Sequence, residues 1–366
     1  MKILIIKNDG LGDLILSSGL ISHIAEHFST SLDLITCKQN KEIAQAIKGI
    51  NKTYFISRDY IKQYSLHNKD RIKVPFKRAI DTTKIVRLNK EDEKTIDYAN
   101  KNNYDLIIVL RRYIRQSSLF LLNKINSKCK LCMWEFPTNL SYSLAKQLNK
   151  NALHLTSINL NSYIRPELEY YEAILSKYFK EKIYANPKLN YKKTIIKKEQ
   201  KTIAIIISGS SIKISTPNWI KICNFLLERN YSITLLGGKE EEKQSFEITA
   251  IDNRIINKVG LYTFNEYSKI LSNFEVIVGN DTGLSHFASI YNDNILIILG
   301  GGTYGSFFPW REDKLSCQQH ITFKKLDCYY CLWNCTNSSR NACITELFDT
   351  NQILNDLENF LNLSTH

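Results

Sequence analysis

The acid Asp13 follows a Gly-spaced turn, Gly10-Leu11-Gly12, at the end of the apolar run Ile3 to Ile6 in the opening string MKILIIKNDGLGDLILSS. In a parallel α/β unit the carboxyl end of a strand and the amino end of the next helix face the ligand crevice, so such a turn carries chemistry more often than packing. Asp13 could also do no more than cap that helix, which is worth about 1 kcal/mol. The dinucleotide fingerprint G-x-G-x-x-G is incomplete, because Ile15 stands where the third Gly belongs, and this argues against a nicotinamide or flavin site.

A second string, Val278-Gly-Asn-Asp-Thr-Gly-Leu-Ser-His286, follows a buried apolar run and opens a helix. Backbone N–H groups around Thr282, Gly283 and Leu284 then suit a phosphate, and Asp281 and His286 can flank one ligand. The Gly/Ser turn Ser208-Gly209-Ser210 with Lys213 beyond it offers hydroxyl and backbone donors and a point charge for a diphosphate. It is not a Walker A loop, since G-x-x-x-x-G-K-[ST] is missing, and an ATPase is disfavoured.

The formal net charge is +13, with basic groups at Arg111-Arg112-x-x-Arg115, Lys192-Lys193, Lys197-Lys198 and Lys324-Lys325. This balance favours an anionic partner: nucleic acid, an acidic lipid surface or a phosphorylated small molecule. Nine cysteines in 366 residues are too sparse for a disulfide scaffold. Four cluster as Cys328-x-x-Cys331-x-x-x-Cys335 and Cys343; they could hold a tetrahedral zinc, although the second half lacks a close pair, and reduced thiols or a labile disulfide fit the spacing better.

These loops need strands and helices to hold them. The chain has the length of roughly two domains, and a 43% hydrophobic content fits packed cores. The first half predicts strands near 2–6, 32–36, 53–56 and 105–110, helices near 12–28 and 41–48, and a helical insertion over 60–103. The second predicts a helix at 167–180, strands at 202–207, 232–236, 254–259, 275–278 and 295–299, and helices at 218–229, 240–250, 264–272 and 284–290. Alternation of this kind implies parallel sheets wrapped by helices. We divide the chain into a first domain over 1–185, a linker over 186–201, a second domain over 202–350, and a last helix in 351–366 expected to pack back on the first domain. No apolar stretch approaches the ~20 residues of a membrane helix, and the first residues lack a secretory pattern; the expectation is a cytoplasmic protein.

Taken together, Leu11-Gly12-Asp13, Asp105-Leu-Ile-Ile-Val-Leu110 with its following Arg-rich turn, the S-G-S turn, Asp281-Thr282-Gly283-x-x-His286 and the late Cys cluster resemble glycosyltransferase family 9, the heptosyltransferase-like family of lipopolysaccharide assembly. The anchors span nearly the whole chain. The resemblance implies a GT-B fold: two Rossmann-like, doubly wound α/β domains facing a central cleft, acceptor on the first and nucleotide sugar on the second.

It further implies inverting transfer with no cofactor and no divalent metal. Asp13 would be the general base and Lys7 a basic helper. Ser208, Gly209, Ser210, Lys213, Asp281, Thr282, Gly283 and His286 would hold the donor, with Glu241 on its ribose, though Glu240 and Glu242 compete for that role. Arg111, Arg112 and Arg115 would meet the acceptor. The implied partners are a nucleotide sugar, a phosphorylated lipid-linked glycan and, peripherally, the anionic inner face of the inner membrane, with no nucleic acid. The sequence departs from many relatives at Gly19, where they have Pro, at Lys213-Ile-Ser-Thr-Pro217 in place of K-x-W-P, and at Gly300 to Trp310 in place of a G-P-T turn. The donor sugar therefore stays open, with ADP-heptose as the leading candidate. Two alternatives are a GT-B nucleotide-sugar epimerase and an inactive glycan- or nucleotide-binding relative.

Overall fold

The computed structural model describes residues 1–57, 89–112, 121–122, 124–132, 154–155, 166–192, 199–209, 213–311, 319–329, 331, 341–345 and 348–364. The chain forms two compact units, Met1–Ile164 with Tyr170–Asn190, and Arg165–Glu169 with Tyr191–His366.

In the first unit, β1 (Lys2–Lys7), β2 (Ser31–Cys37), β3 (Ile50–Ile56), β4 (Tyr104–Val109), β5 (Ser127–Cys132) and β6 (His154–Leu155) form one sheet in the order β3-β2-β1-β4-β5-β6. Every pairing is parallel. A parallel sheet covered on both faces needs apolar residues on both sides of each central strand, and Ile3, Leu4, Ile5 and Ile6 are all buried. Between strands run α1 (Leu11–His27), α2 (Lys41–Gln45) and α3 (Lys90–Asn100); of α4 (Glu167–Phe179), the part from Tyr170 onward belongs to this unit. Strand order reverses between β1 and β4, which pair with Ile6 opposite Val109, so the loops leaving these two strands diverge around a crevice.

The second unit repeats the plan. Its strands β7 (Glu199–Ile206), β8 (Ser232–Leu236), β9 (Ile255–Asn257), β10 (Phe274–Asn280), β11 (Ile295–Ile298) and β12 (Gln319–Thr322) lie in the order β12-β11-β10-β7-β8-β9. Its helices are α5 (Thr216–Glu228), α6 (Glu242–Thr249), α7 (Phe264–Ile270), α8 (Gly283–Tyr291) and α9 (Thr350–Ser364). Pro217 lies in the first turn of α5, where its missing N–H costs nothing. The reversal falls between β7 and β10, with Ile206 opposite Gly279. A Cβ on Gly279 would lie 2.7 Å from Ser285 Oγ and 3.1 Å from Ile206 Cβ, so only glycine lets the start of α8 sit this close to β10.

Two expectations change, and a third is met where the chain is described. The last helix packs into the core of the second unit, where Ile353, Leu357, Phe360 and Leu361 join Trp219, Ile222 and Leu226; the stripe i, i+4, i+7, i+8 is what an amphipathic helix buries. The first part of the expected linker belongs to the first unit: Lys188 N donates to Ser18 Oγ (2.9 Å) and Asn190 N to the Ala46 carbonyl (2.7 Å), while Glu199–Lys201 already lie in β7. Of the helical insertion over 60–103, α3 is observed, and residues 58–88 lie outside the described residues.

Candidate functional site

In the first unit the turn after β1 is held from beneath. Lys7 is only 1% exposed, and its Nζ donates to Asp9 Oδ2 (3.0 Å), the Leu110 carbonyl (2.8 Å) and Tyr171 Oη (3.3 Å). An ammonium has three protons to give, and all three are engaged inside the protein. Asp9 Oδ1 accepts from Arg111. Lys7, Asp9 and Arg111 thus tie the loop leaving β1 to the loop leaving β4 at the strand-order reversal. Arg112 is 1% exposed, with its guanidinium 4.6 Å from the centre of the Tyr170 ring. Arg115 lies outside the described residues.

Asp13 lies in the first turn of α1. Its Oδ2 accepts from the backbone N–H of the N-cap, Gly10, at 3.0 Å, one half of a capping box, since glycine has no side chain to make the other. The capping role is therefore realised, and it uses one carboxylate oxygen. Oδ1 makes no hydrogen bond among the described residues, so a partly exposed carboxylate is fixed in orientation with one oxygen ready for a ligand.

In the second unit the residues singled out in the sequence gather at the carboxyl ends of β7, β8 and β10. Ser208 Oγ and Thr282 Oγ1, from the loops after β7 and β10, are 3.3 Å apart. Thr282 is the N-cap of α8, its hydroxyl accepting from Ser285 N at 3.4 Å, so the free N–H groups of the first turn of α8 open beside the Ser208-Gly209 turn. Ser210 lies outside the described residues. Lys213 Nζ is 2.8 Å from Glu241 Oε1, and Glu241 Oε2 accepts from Gly238 N at 3.1 Å. Sequence reasoning gave these two residues separate tasks; the fold pairs them.

Asp281 and His286 also come together, His286 Nε2 lying 3.7 Å from Asp281 Oδ1. Two partners went unnoticed in the sequence. Thr303 Oγ1 donates to Asp281 Oδ2 (3.1 Å), and Trp310 Nε1 donates to His286 Nδ1 (2.9 Å). Both come from the Gly300–Trp310 segment, singled out only as a departure from a family pattern; its hydroxyl and indole N–H were the available signal. Tyr267, whose hydroxyl donates to the Gly237 carbonyl (3.1 Å), has its phenol pushed up to about 12 by burial, so it serves the Gly237-Gly238 turn as a neutral donor.

The arrangement is two βα crevices, one whose loop after β1 carries a partly exposed carboxylate and is tied down by a buried lysine, the other with a helix N-terminus, hydroxyls and a lysine suited to a diphosphate. The sequence model of glycosyltransferase family 9 (heptosyltransferase) matches residues 98–330. The chain belongs to glycosyltransferase family 9. Lipopolysaccharide heptosyltransferase 1 of Campylobacter coli is 25% identical over 333 residues, covering 86% of this chain and 89% of that one. Among solved structures, a family 9 glycosyltransferase of Veillonella parvula superimposes with a TM-score of 0.67 at 11% identity, covering 98% of this chain and 97% of that one. The E. coli heptosyltransferase WaaC with ADP superimposes with a TM-score of 0.65 at 13% identity, covering 100% of both chains. The two parallel-sheet units of this glycosyltransferase are thus those of the GT-B fold.

Of the cysteine cluster of this family 9 chain, Cys328, Cys331 and Cys343 line one small cavity with Gly301, Gly302 and Tyr329. Cys335 lies outside the described residues. Among the described residues no three His, Cys, Asp or Glu side chains are grouped to hold a metal ion.

Proposed function

We propose that this glycosyltransferase is an inverting enzyme that moves a sugar, with heptose from ADP-heptose as the leading candidate, from a nucleotide sugar to a lipopolysaccharide core or related surface-glycan acceptor without a divalent metal. The observation that carries the donor half is the meeting of Ser208, Thr282 and the first turn of α8 at the strand-order reversal of the second unit. The donor chemistry is supported by WaaC, solved with ADP-2-deoxy-2-fluoro heptose, which superimposes at 14% identity with a TM-score of 0.62.

In this reading Asp13, anchored through Oδ2, takes the proton of the acceptor hydroxyl on Oδ1. The hydroxyl oxygen forms the new bond to the anomeric carbon as the bond from that carbon to the diphosphate oxygen breaks. One displacement from the opposite face inverts the centre. A positioned carboxylate base contributes about 10²- to 10⁴-fold. The nucleoside diphosphate leaves with more charge than it carried, and Lys213, the N–H groups of α8 and the hydroxyls of Ser208 and Thr282 stabilise it where a metal would otherwise serve. Asp281 suits the sugar hydroxyls and Glu241 the ribose side. Lys7 is a positioning residue, since its ammonium is spent on Asp9, Leu110 and Tyr171.

Arg111 and Arg112 are assigned to the acceptor side, shaping the loop after β4. The net charge of +13 supports a cytoplasmic enzyme docked on the anionic inner face of the inner membrane. No described helix is long and apolar enough to cross a membrane.

Calorimetric titration in EDTA with ADP, UDP and GDP, and with their sugars, tests the donor half. Binding of ADP and ADP-heptose, lost in Asp281→Ala for the sugar nucleotide, supports it. A UDP or GDP preference replaces the heptose assignment, and failure of every nucleotide to bind overturns the reading.

A further inference from the structure

His286 is buried, 3% exposed, with the Phe308 ring stacked on it at 4.0 Å and the Trp310 ring nearly parallel to it at 7°. Its Nδ1 receives the indole N–H of Trp310 at 2.9 Å. An indole nitrogen can only donate, so Nδ1 has to accept, and the proton of the neutral imidazole sits on Nε2. That atom faces Asp281 Oδ1 at 3.7 Å, while Oδ2 of the same carboxylate accepts from Thr303 at 3.1 Å. Trp310 is itself fixed by a 3.0 Å bond from its backbone N–H to Gln319 Oε1.

We propose that Trp310 is a positioning residue for the donor site: its indole N–H locks His286 as the Nε2–H tautomer, making the imidazole a standing donor toward Asp281. With a hydroxyl on one oxygen and an N–H facing the other, Asp281 is held as an acceptor whose remaining lone pairs point to ligand hydroxyls. The opposite tautomer would turn an imidazole lone pair toward the carboxylate and leave the buried indole N–H unpaired, and both are unfavourable. The distance of 3.7 Å exceeds a hydrogen bond and closes to one with a small rotation of Asp281 onto a ligand. The consequence for the sugar nucleotide rests on the donor role proposed above; the tautomer does not.

The test is long-range ¹H–¹⁵N correlation on the full chain labelled at histidine and tryptophan, with His286 identified by its loss in His286→Gln. The expected result is an Nε2–H ring with a nitrogen–nitrogen coupling from His286 Nδ1 to the indole of Trp310; a proton on Nδ1 overturns the proposal. In Trp310→Phe, which keeps an aromatic ring and removes the N–H, the nitrogen–nitrogen coupling goes and Asp281 alone still favours Nε2–H, so the Nδ1–H fraction should rise above that of the wild type. The KM for the sugar nucleotide should rise about fivefold, the worth of one neutral hydrogen bond, with the acceptor KM unchanged. A tautomer ratio unaltered by Trp310→Phe overturns the proposal. Should that variant fail to fold, the wild-type spectrum decides alone. Should no sugar nucleotide bind the wild type, the donor reading fails and the spectrum still judges the tautomer.

Discussion

Lys213 and Glu241 form an ion pair of 2.8 Å that joins the loop after β7 to the turn after β8, and the two partners are unequally placed: the lysine side chain is 40% exposed and the glutamate 4%. The buried partner also accepts from Gly238 N, so it is the anchor, and the exposed ammonium is the end that can meet an anion. Lys213→Met should weaken ADP binding about 10- to 100-fold, the value of a hydrogen bond to a charged group. Glu241→Gln, which keeps the carbonyl for Gly238, should have a smaller effect. Calorimetry on both variants checks the order.

Asp13 carries two roles that one substitution separates. Asp13→Asn keeps an oxygen for Gly10 N and removes the base, so kcat should fall about 10²- to 10⁴-fold with the urea midpoint unchanged. Asp13→Leu should lose the same activity and about 1 kcal/mol of stability as well, because the bond that Gly10 N makes to the carboxylate goes with it.

Gly19 lies mid-helix, where alanine would ordinarily gain about 1 kcal/mol. Here a Cβ would run into the carbonyl oxygen of Asn186, which belongs to the chain crossing α1. Gly19→Ala should therefore destabilise the protein, by about 1–3 kcal/mol, in equilibrium urea unfolding. A stabilised variant would mean that the crossing is loose.

Burial lowers the pKa of His23 from its ordinary 6.5, reinforced by His27, whose ring lies 4.4 Å away, and opposed by Glu181 and Glu26. Its Nε2 is buried without a hydrogen-bond partner among the described residues. The unfolded chain then takes up a proton at higher pH than the folded one. Stability is retained above pH 6.5 and lost as pH falls from there to the lower folded value. Urea midpoints between about pH 7.5 and 5.5 should drop in the wild type and drop less in His23→Leu.

The sheet interiors were legible because parallel strands buried on both faces read as unbroken apolar runs: Ile3 to Ile6, Leu106 to Val109, Ile203 to Ile206 and Ile295 to Ile298 all lie in strands. Strands β5 (SKCKLC), next to one sheet's edge, and β12 (QHIT), at the edge of the other, were not, since lysine, cysteine, glutamine and histidine break the run that marks a strand. Loop residues with a chemical signature, Asp13, Lys213, Asp281 and His286, were visible from type and position after a strand. Their partners were not. Nothing local marks Lys7 as spent on Leu110 and Tyr171, 103 and 164 residues away, or sets Trp310 on His286 across 24 residues. Such pairings come from the strand order, which brings together loops distant in sequence.

The most direct test of sugar transfer is one reaction, run in EDTA with ADP-heptose and a lipopolysaccharide core acceptor, in which released ADP and heptose-extended acceptor are both quantified by mass spectrometry. The account predicts equal amounts of the two, with both products lost together in Asp13→Asn. ADP released with free heptose in place of extended acceptor, or product only when a divalent metal is restored, would contradict it.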